Sequence, residues 1–324
     1  MMKRFYKTAV AATFVGSCCA VPLVHADDYP NKPIRIIVPL PPGGSNDVLA
    51  RVLGEEMAKT LGQPFVVENK PGAAGNIGTD LVAKSKPDGY TLGIAPNQTV
   101  AVNPALYPKL PFDVQKDLAG VGLMATVPMA LVVPEKFKAN SIEELVAMAK
   151  AEPSKLTYAS AGAGSPQHMS AEIFQSLTST QLTHVPYKGS APALVDVLAG
   201  TVDLMFCPIN SALPYIQNGR LKALGVTGHR LPYLPSVPAI AEKVPGFESD
   251  IWIGLIAPAG TPREIIDKLN GELNRALKVP AVQAKLREQG IEVASSTPAE
   301  FDRMMLEDKQ RWAEVIKRAN IRVD

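Results

Sequence analysis

The chain has 324 residues, 46% of them apolar, with 33 Lys and Arg set against 31 Asp and Glu. A net charge of +2 and three Cys exclude a polybasic nucleic-acid or membrane surface and a disulfide-stapled scaffold. Stability has to come from a buried core, and a chain of this length can build two domains.

Residues 1–26 read as a signal peptide. Lys3, Arg4 and Lys7 form a positive start, Ala9 to Val24 is apolar and small, and Val24-His25-Ala26 offers a cleavage site. The leader carries three basic residues and no acidic one, so the mature chain has a net charge of −1. It also carries Cys18 and Cys19, which leaves Cys207 alone in an oxidising compartment. A periplasmic protein is expected. Val15-Gly-Ser-Cys18 is a weaker, lipoprotein-type signal, whose use would leave the chain lipid-anchored at Cys18.

From there strand and helix patterns alternate to the end, which predicts α/β architecture. Ile34 to Pro39 is a strand running through Pro41-Pro-Gly-Gly44 into a helix from about Asp47. Pro64 to Glu68 is a strand that opens into the glycine-rich stretch 69–78 and a helix over 77–83. Tyr90 to Ala95 is a strand, followed by the polar loop Pro96-Asn-Gln-Thr99. Leu118 to Pro134 reads as a strand pair broken near Pro128. A self-contained α/β series follows: a helix capped by Ser141, a strand over 156–161, Gly162-Ala-Gly-Ser-Pro166 and a helix, then Tyr187-Lys-Gly-Ser190 and another helix. Strands over 202–207 and 221–226 flank a short helix. Ile251 to Ala257 is a buried strand, and Thr261-Pro-Arg-Glu264 and Thr297-Pro-Ala-Glu300 open the last helices as capping boxes. The implied layout is one lobe from 27–125 plus 251–324 and a second from 126–250. Two crossings would make a hinge, with the ligand site in the cleft between the lobes.

The opening feature is duplicated. Strand–Pro41-Pro-Gly-Gly44–helix in one lobe matches strand–Gly162-Ala-Gly-Ser165–helix in the other. Each is either a plain strand-to-helix turn or a cradle whose unpaired helix-end amides hold a carboxylate or phosphate. Enzyme readings find little support. Gly162-Ala-Gly-Ser lacks the third glycine of a dinucleotide fingerprint, no Walker motif occurs, and Ser160 lacks the first glycine of a nucleophile elbow. His168, His184 and His229 have no metal-ligand spacing, so no metal and no cofactor is expected. His168 reads equally as a cleft hydrogen-bonder or a helix-end histidine. Lys188 could meet a ligand carboxylate or stand solvated, and Asp47 with Arg51 reads as a surface or capping ion pair. Cys207 is a small buried thiol or a residue lining the cleft.

Several phrases together resemble one family. They are Tyr29-Pro-Asn-Lys-Pro-Ile-Arg35, Val38-Pro-Leu-Pro-Pro-Gly-Gly-Ser-Asn-Asp47, Glu68-Asn-Lys-Pro-Gly-Ala-Ala-Gly-Asn-Ile-Gly78 and Pro87-Asp-Gly-Tyr-Thr-Leu92. Tyr187-Lys-Gly-Ser190, Ser211-Ala-Leu-Pro214 and Ala257-Pro-Ala-Gly-Thr-Pro262 follow in the same order. They are similar to the Bug family, the periplasmic solute-binding receptors of tripartite tricarboxylate transporters. The resemblance implies a type II periplasmic-binding (Venus flytrap) fold that closes on a small organic carboxylate. Its partners would be membrane permease subunits, and the receptor itself would act as a monomer without catalysis. Carried over residue by residue, it assigns ligand contact to Pro41, Pro42, Gly43 and Gly44 and to Ser160, Ala163, Gly164, Ser165 and His168. Adjacent motifs add Asn76, Asn97, Thr99, Tyr187 and Lys188. Where the family usually reads Met-Phe-Asp-Asn, this chain has Met205-Phe-Cys-Pro208, and Val100 replaces a frequent His. The loss of the acid disfavours a ligand ammonium group and leans toward a mono- or dicarboxylate, aromatic ones included. A sensory receptor, or a hydrolase or isomerase of small acids, is the alternative.

Overall fold

The computed structural model describes residues 29–318 and residue 321. The expected leader and Cys18 lie outside the described residues. In chain order the elements are β1 (Ile34–Val38), α1 (Ser45–Leu61), β2 (Phe65–Asn69), α2 (Asn76–Ala83), β3 (Thr91–Pro96), α3 (Asn103–Leu106), α4 (Val114–Asp117), β4 (Leu118–Val127) and β5 (Met129–Pro134). They continue with α5 (Ile142–Ala151), β6 (Thr157–Ser160), α6 (Pro166–Thr178), β7 (Thr183–Pro186), α7 (Ser190–Ala199), β8 (Leu204–Pro208), α8 (Ile209–Gln217) and β9 (Leu221–Val226). Last come β10 (Ile251–Pro258), α9 (Arg263–Leu277), α10 (Pro280–Glu288), β11 (Glu292–Val293) and α11 (Pro298–Arg318).

Two mixed sheets result. The six-stranded sheet runs β11-β4-β10-β3-β1-β2 and the five-stranded one β7-β6-β8-β5-β9. The two strands expected over 118–134 are present, and Pro128 parts β4, in the first sheet, from β5, in the second. Proline has no N–H to give a ladder, so pairing breaks there and the chain crosses between lobes. Central strands β3 and β10 are buried along most of their length, as expected where both faces are covered.

The two sheets repeat one order. In the first, β1 lies between β2 and β3 and is parallel to both. In the second, β6 lies between β7 and β8 and is parallel to both. The winding therefore reverses beside β1 and again beside β6, and such switch points open a crevice at the carboxyl ends of the strands.

One apolar cluster runs through both lobes, from Ile37 and Ile256 through Leu106, Met169 and Trp252 to Leu131 and Phe206. Separate clusters bury α1 and α9 on the first sheet and α7 and α8 on the second. Helix α11 lies against β10 so closely that a Cβ at Gly254 would fall 2.0 Å from the Phe301 ring.

Local expectations differ from the structure in three places. Gln98 and Thr99, expected as the end of a polar loop, instead open a wide helical turn over Gln98–Val102 that runs into α3. Thr261 does not cap α9: its hydroxyl donates to the Pro258 carbonyl at 2.7 Å and the helix starts at Arg263. β7 and α10 were not expected as elements. Thr297 does form the reciprocal box, taking the Glu300 amide at 3.2 Å while its own amide donates to the Glu300 carboxylate at 2.8 Å.

Candidate functional site

The candidate residues gather at the carboxyl ends of parallel strands. Pro41–Gly44 follow β1, Asn76 follows β2, and Asn97 and Thr99 follow β3. In the other sheet Ser160–His168 follow β6, Tyr187 and Lys188 follow β7, and Cys207 is near the end of β8.

In the lobe-one loop, Pro41 through Gly44 are exposed and a Cβ at Gly43 or Gly44 would meet nothing within 4 Å. Gly43 has φ +86°, which favours a residue without Cβ. Its amide is already occupied, donating to Asp47 Oδ2 at 3.0 Å. Of the two expected roles Asp47 takes the capping one: it is buried, at N3 of α1, and takes the Arg51 guanidinium at 3.0 and 3.1 Å as well. The Arg51 hydrogen bond, helped by the Gly43 amide and Asn69 against the effect of burial, holds the Asp47 carboxyl below its ordinary pKa. Arg51 also reaches Asn69 Oδ1 at 3.3 Å, and Asn69 donates to the Leu40 carbonyl at 3.1 Å. The loop is thus fixed from behind. Among the described residues no acceptor is bonded to the amides of Gly44, Ser45 and Asn46, the three that open α1.

The lobe-two loop uses the same device with different chemistry. Ser165 caps α6, and His168 at N3 reaches back so that its Nδ1 accepts the Gly164 amide at 3.0 Å. Gly164 has φ +73°. Unlike Gly43 it is crowded, since a Cβ there would fall 2.6 Å from Leu106 Cδ2 of lobe one. Behind the loop, Ser160 Oγ accepts the Gly162 amide at 3.0 Å and lies 2.6 Å from His184 Nε2. The His184 and His168 rings stack at 4.3 Å, and Tyr158 stacks on His184 at 4.8 Å. Tyr158 donates to Glu172 Oε1 at 2.6 Å. Burial pushes both imidazoles down to about 4, and for His184 the neighbouring His168 adds to the effect. Of this loop's amides, Ala163's has no bonded acceptor among the described residues, and Ala163 is exposed.

The remaining candidates divide. Asn97 is buried and donates to the Asp250 carbonyl at 3.0 Å, while its own Oδ1 is unpartnered. Asn76 Oδ1 accepts from Asn103 at 2.7 Å, which ties it to the wide turn before α3. Thr99 is fully buried and donates to the Pro96 carbonyl at 3.1 Å, with its methyl 2.5 Å from where a Gly75 Cβ would sit. Tyr187 is half-buried and donates to Asp196 at 2.5 Å, and Lys188 is exposed. Cys207 is not brought to any cleft. It is fully buried among Ala130, Ile209 and Ala212, and burial raises its thiol to about 12. Two open cavities, of about 440 and 740 Å³, are lined by none of the candidate residues. Sequence reasoning missed Asp47, His184, Glu172 and Asn103. For Asp47 a signal existed, because a carboxylate at N3 commonly reaches back past its helix cap.

The model of the tripartite tricarboxylate transporter family receptor matches residues 49–321. The chain belongs to that family. Protein BugT of Bordetella pertussis is 40% identical over 312 residues, covering 95% of this chain and 96% of the relative. Among solved structures, an R. palustris protein with adipate has a TM-score of 0.82 at 36% identity, covering 91% of this chain and 99% of that one. The Rhodopseudomonas palustris MatC with bound malate has a TM-score of 0.77 at 34% identity, covering 89% and 100%. Relatives of this receptor family are periplasmic binding proteins rather than enzymes, and the two-lobed α/β fold is theirs.

Proposed function

We propose that this protein is a periplasmic receptor that captures a small organic carboxylate between its lobes and delivers it to the membrane subunits of a tripartite tricarboxylate transporter. One observation carries the reading. In each lobe the parallel strand at the topological switch point ends in a braced glycine loop, with unbonded amides at the helix end in lobe one and at Ala163, within the loop, in lobe two. Gly44, Ser45 and Asn46 on α1, with Ala163 before α6, would take carboxylate oxygens without a formal positive charge. Asn76, Asn97, Ser160, Ser165, Tyr187 and Lys188 would line the same cleft. The adipate and malate bound by relatives support a carboxylate ligand. Lobes of 27–125 plus 251–324 and of 126–250 would close on it, with affinity depending on contacts from both sides.

A thermal-shift screen of the mature protein against mono- and dicarboxylates, adipate and malate included, tests this. A ligand present at 100 Kd adds about 2.7 kcal/mol of stability. Stabilisation by amines or neutral sugars, with none by any carboxylate, overturns the reading.

A further inference from the structure

His168 and Asp47 occupy equivalent positions. Each is N3 of the helix that follows a loop, and each accepts, at 3.0 Å, the amide of a positive-φ glycine four residues back. An acceptor has to be unprotonated. For the carboxylate that is the charged state, and for the imidazole it is the neutral one. Since Nδ1 of His168 accepts, its single proton is on Nε2, which lies 3.8 Å from Glu172 Oε1. A second proton could only go on Nδ1, directly opposing the Gly164 N–H.

We propose that His168 is a positioning residue for ligand capture: as a neutral imidazole it holds the Gly164 amide and the lobe-two loop in shape, and protonation of Nδ1 releases that loop. The titratable groups facing it are His184 from β7, Tyr158 from β6 and Glu172 from its own helix. Tyr158 remains a phenol, since burial first and Glu172 second push its pKa far up. Charging His168 would set a cation in a stack 4.3 Å from a second imidazole. Glu172 offers little relief, because Tyr158 and Gln175 already donate to its Oε1 at 2.6 and 3.0 Å. The buried position of His168 delays protonation to well below the ordinary histidine range. The link from loop shape to capture rests on the function proposed above; the link from imidazole to loop does not.

The test follows the histidine ring nitrogens and the Gly164 amide by NMR in the mature, ligand-free protein from about pH 7 to about pH 3.5. The His168 proton is expected on Nε2, and the Gly164 amide signal is expected to move with the His168 titration. In His168→Asn, Oδ1 replaces Nδ1 as acceptor and the Gly164 signal should stay put across the range. In His168→Leu it should be displaced at every pH. Adipate titrations in the same series should show His168→Leu weaker by about tenfold at neutral pH, with affinity restored in His168→Asn. The wild type should lose more affinity on acidification than His168→Asn, a difference that cancels the ligand's own titration. A proton on Nδ1, or a Gly164 signal indifferent to the His168 titration, overturns the proposal. So does wild-type adipate affinity in His168→Leu. If no carboxylate binds the folded wild type, the function reading fails, and the Gly164 titration still decides the role of His168.

Discussion

The two glycine loops are the same local solution reached with opposite electrostatics. In lobe one, the acceptor behind the loop is a carboxylate kept charged by Arg51, and the loop surface is open. In lobe two, the acceptor is an imidazole kept neutral by burial, and the loop is tucked against Leu106 of the other lobe. Lobe one therefore offers an uncrowded row of amides whose supporting acid is neutralised by its own arginine. Lobe two offers a loop whose shape depends on contact with its partner lobe and on a proton balance. As the two halves of the proposed site, the loops differ in exposure and in the charge of the group that braces them.

The largest expected difference is in acid. His168 has its pKa lowered from 6.5 to about 4, so the unfolded chain takes up its proton before the folded one does. The stability due to neutral His168 is complete above pH 6.5, falls as pH drops through this window, and levels off below about 4. One such imidazole costs about 3 kcal/mol across that range. Denaturant melts of the wild type and His168→Asn should diverge by roughly this amount; parallel pH profiles would remove the imidazole from the acid response. Asp47 works in the other sense, its contribution being present above the ordinary carboxylate pKa and lost only below it.

Removing the lobe-one acceptor comes next. Asp47→Ala leaves the Gly43 amide and Arg51 without their partner and should destabilise by about 2–3 kcal/mol, with Asp47→Asn costing less because it keeps an acceptor. Equal losses in the two variants would mean that the charge, not the amide contact, holds the loop.

The glycines give a smaller effect. Gly43→Ala and Gly164→Ala each force a side chain into a positive-φ conformation, at about 1–2 kcal/mol. Gly164→Ala should cost more, because Leu106 must also move. Gly44→Ala has an ordinary backbone and open space around it, so its melting temperature should hold while adipate affinity falls. Unchanged affinity would take the Gly44 amide out of the site. The smallest effect is expected at Cys207: alanine there should leave adipate affinity unchanged, and the native thiol should resist alkylation until the protein unfolds. Rapid native alkylation would contradict its place in the core.

Much of the fold was legible in the sequence because its signals are local. Alternating strand and helix patterns, Ser141 and Thr297 as caps, and the duplicated glycine turns all involve neighbours a few residues apart. What was hidden depends on distant partners. The break at Pro128 and a crossing near residue 126 were both readable, but which strands pair on either side is set by partners far along the chain. Thr261 has the sequence of a cap, but the Pro258 carbonyl competes for its hydroxyl. The stack of His168 on His184 joins residues on a helix and a neighbouring strand, with no spacing rule to announce it. For Asp47 the sequence left a surface pair and a capping pair open, and the choice between them rests on burial, which cannot be read from a single spacing. For Cys207 the sequence left two readings open, a small buried thiol or a cleft residue, and alternation along β8 turns it into the apolar layer under α7 and α8.

Pro128 has one more consequence. It is the whole of the first crossing, so the ends of β4 and β5 stay within a residue or two, roughly 3.3–3.6 Å per residue of chain. The second crossing spans residues 227–250, and its far end is held by Arg311, which donates to the Glu248 carbonyl at 2.9 Å, and by the Ser170–Ser249 hydroxyl pair at 2.6 Å. With so short a tether on one side the two sheets cannot be drawn apart there. Any closing stroke is then an arc about Pro128, and a ligand's leverage grows with its distance from that pivot. Ligand length would be read out as an angle.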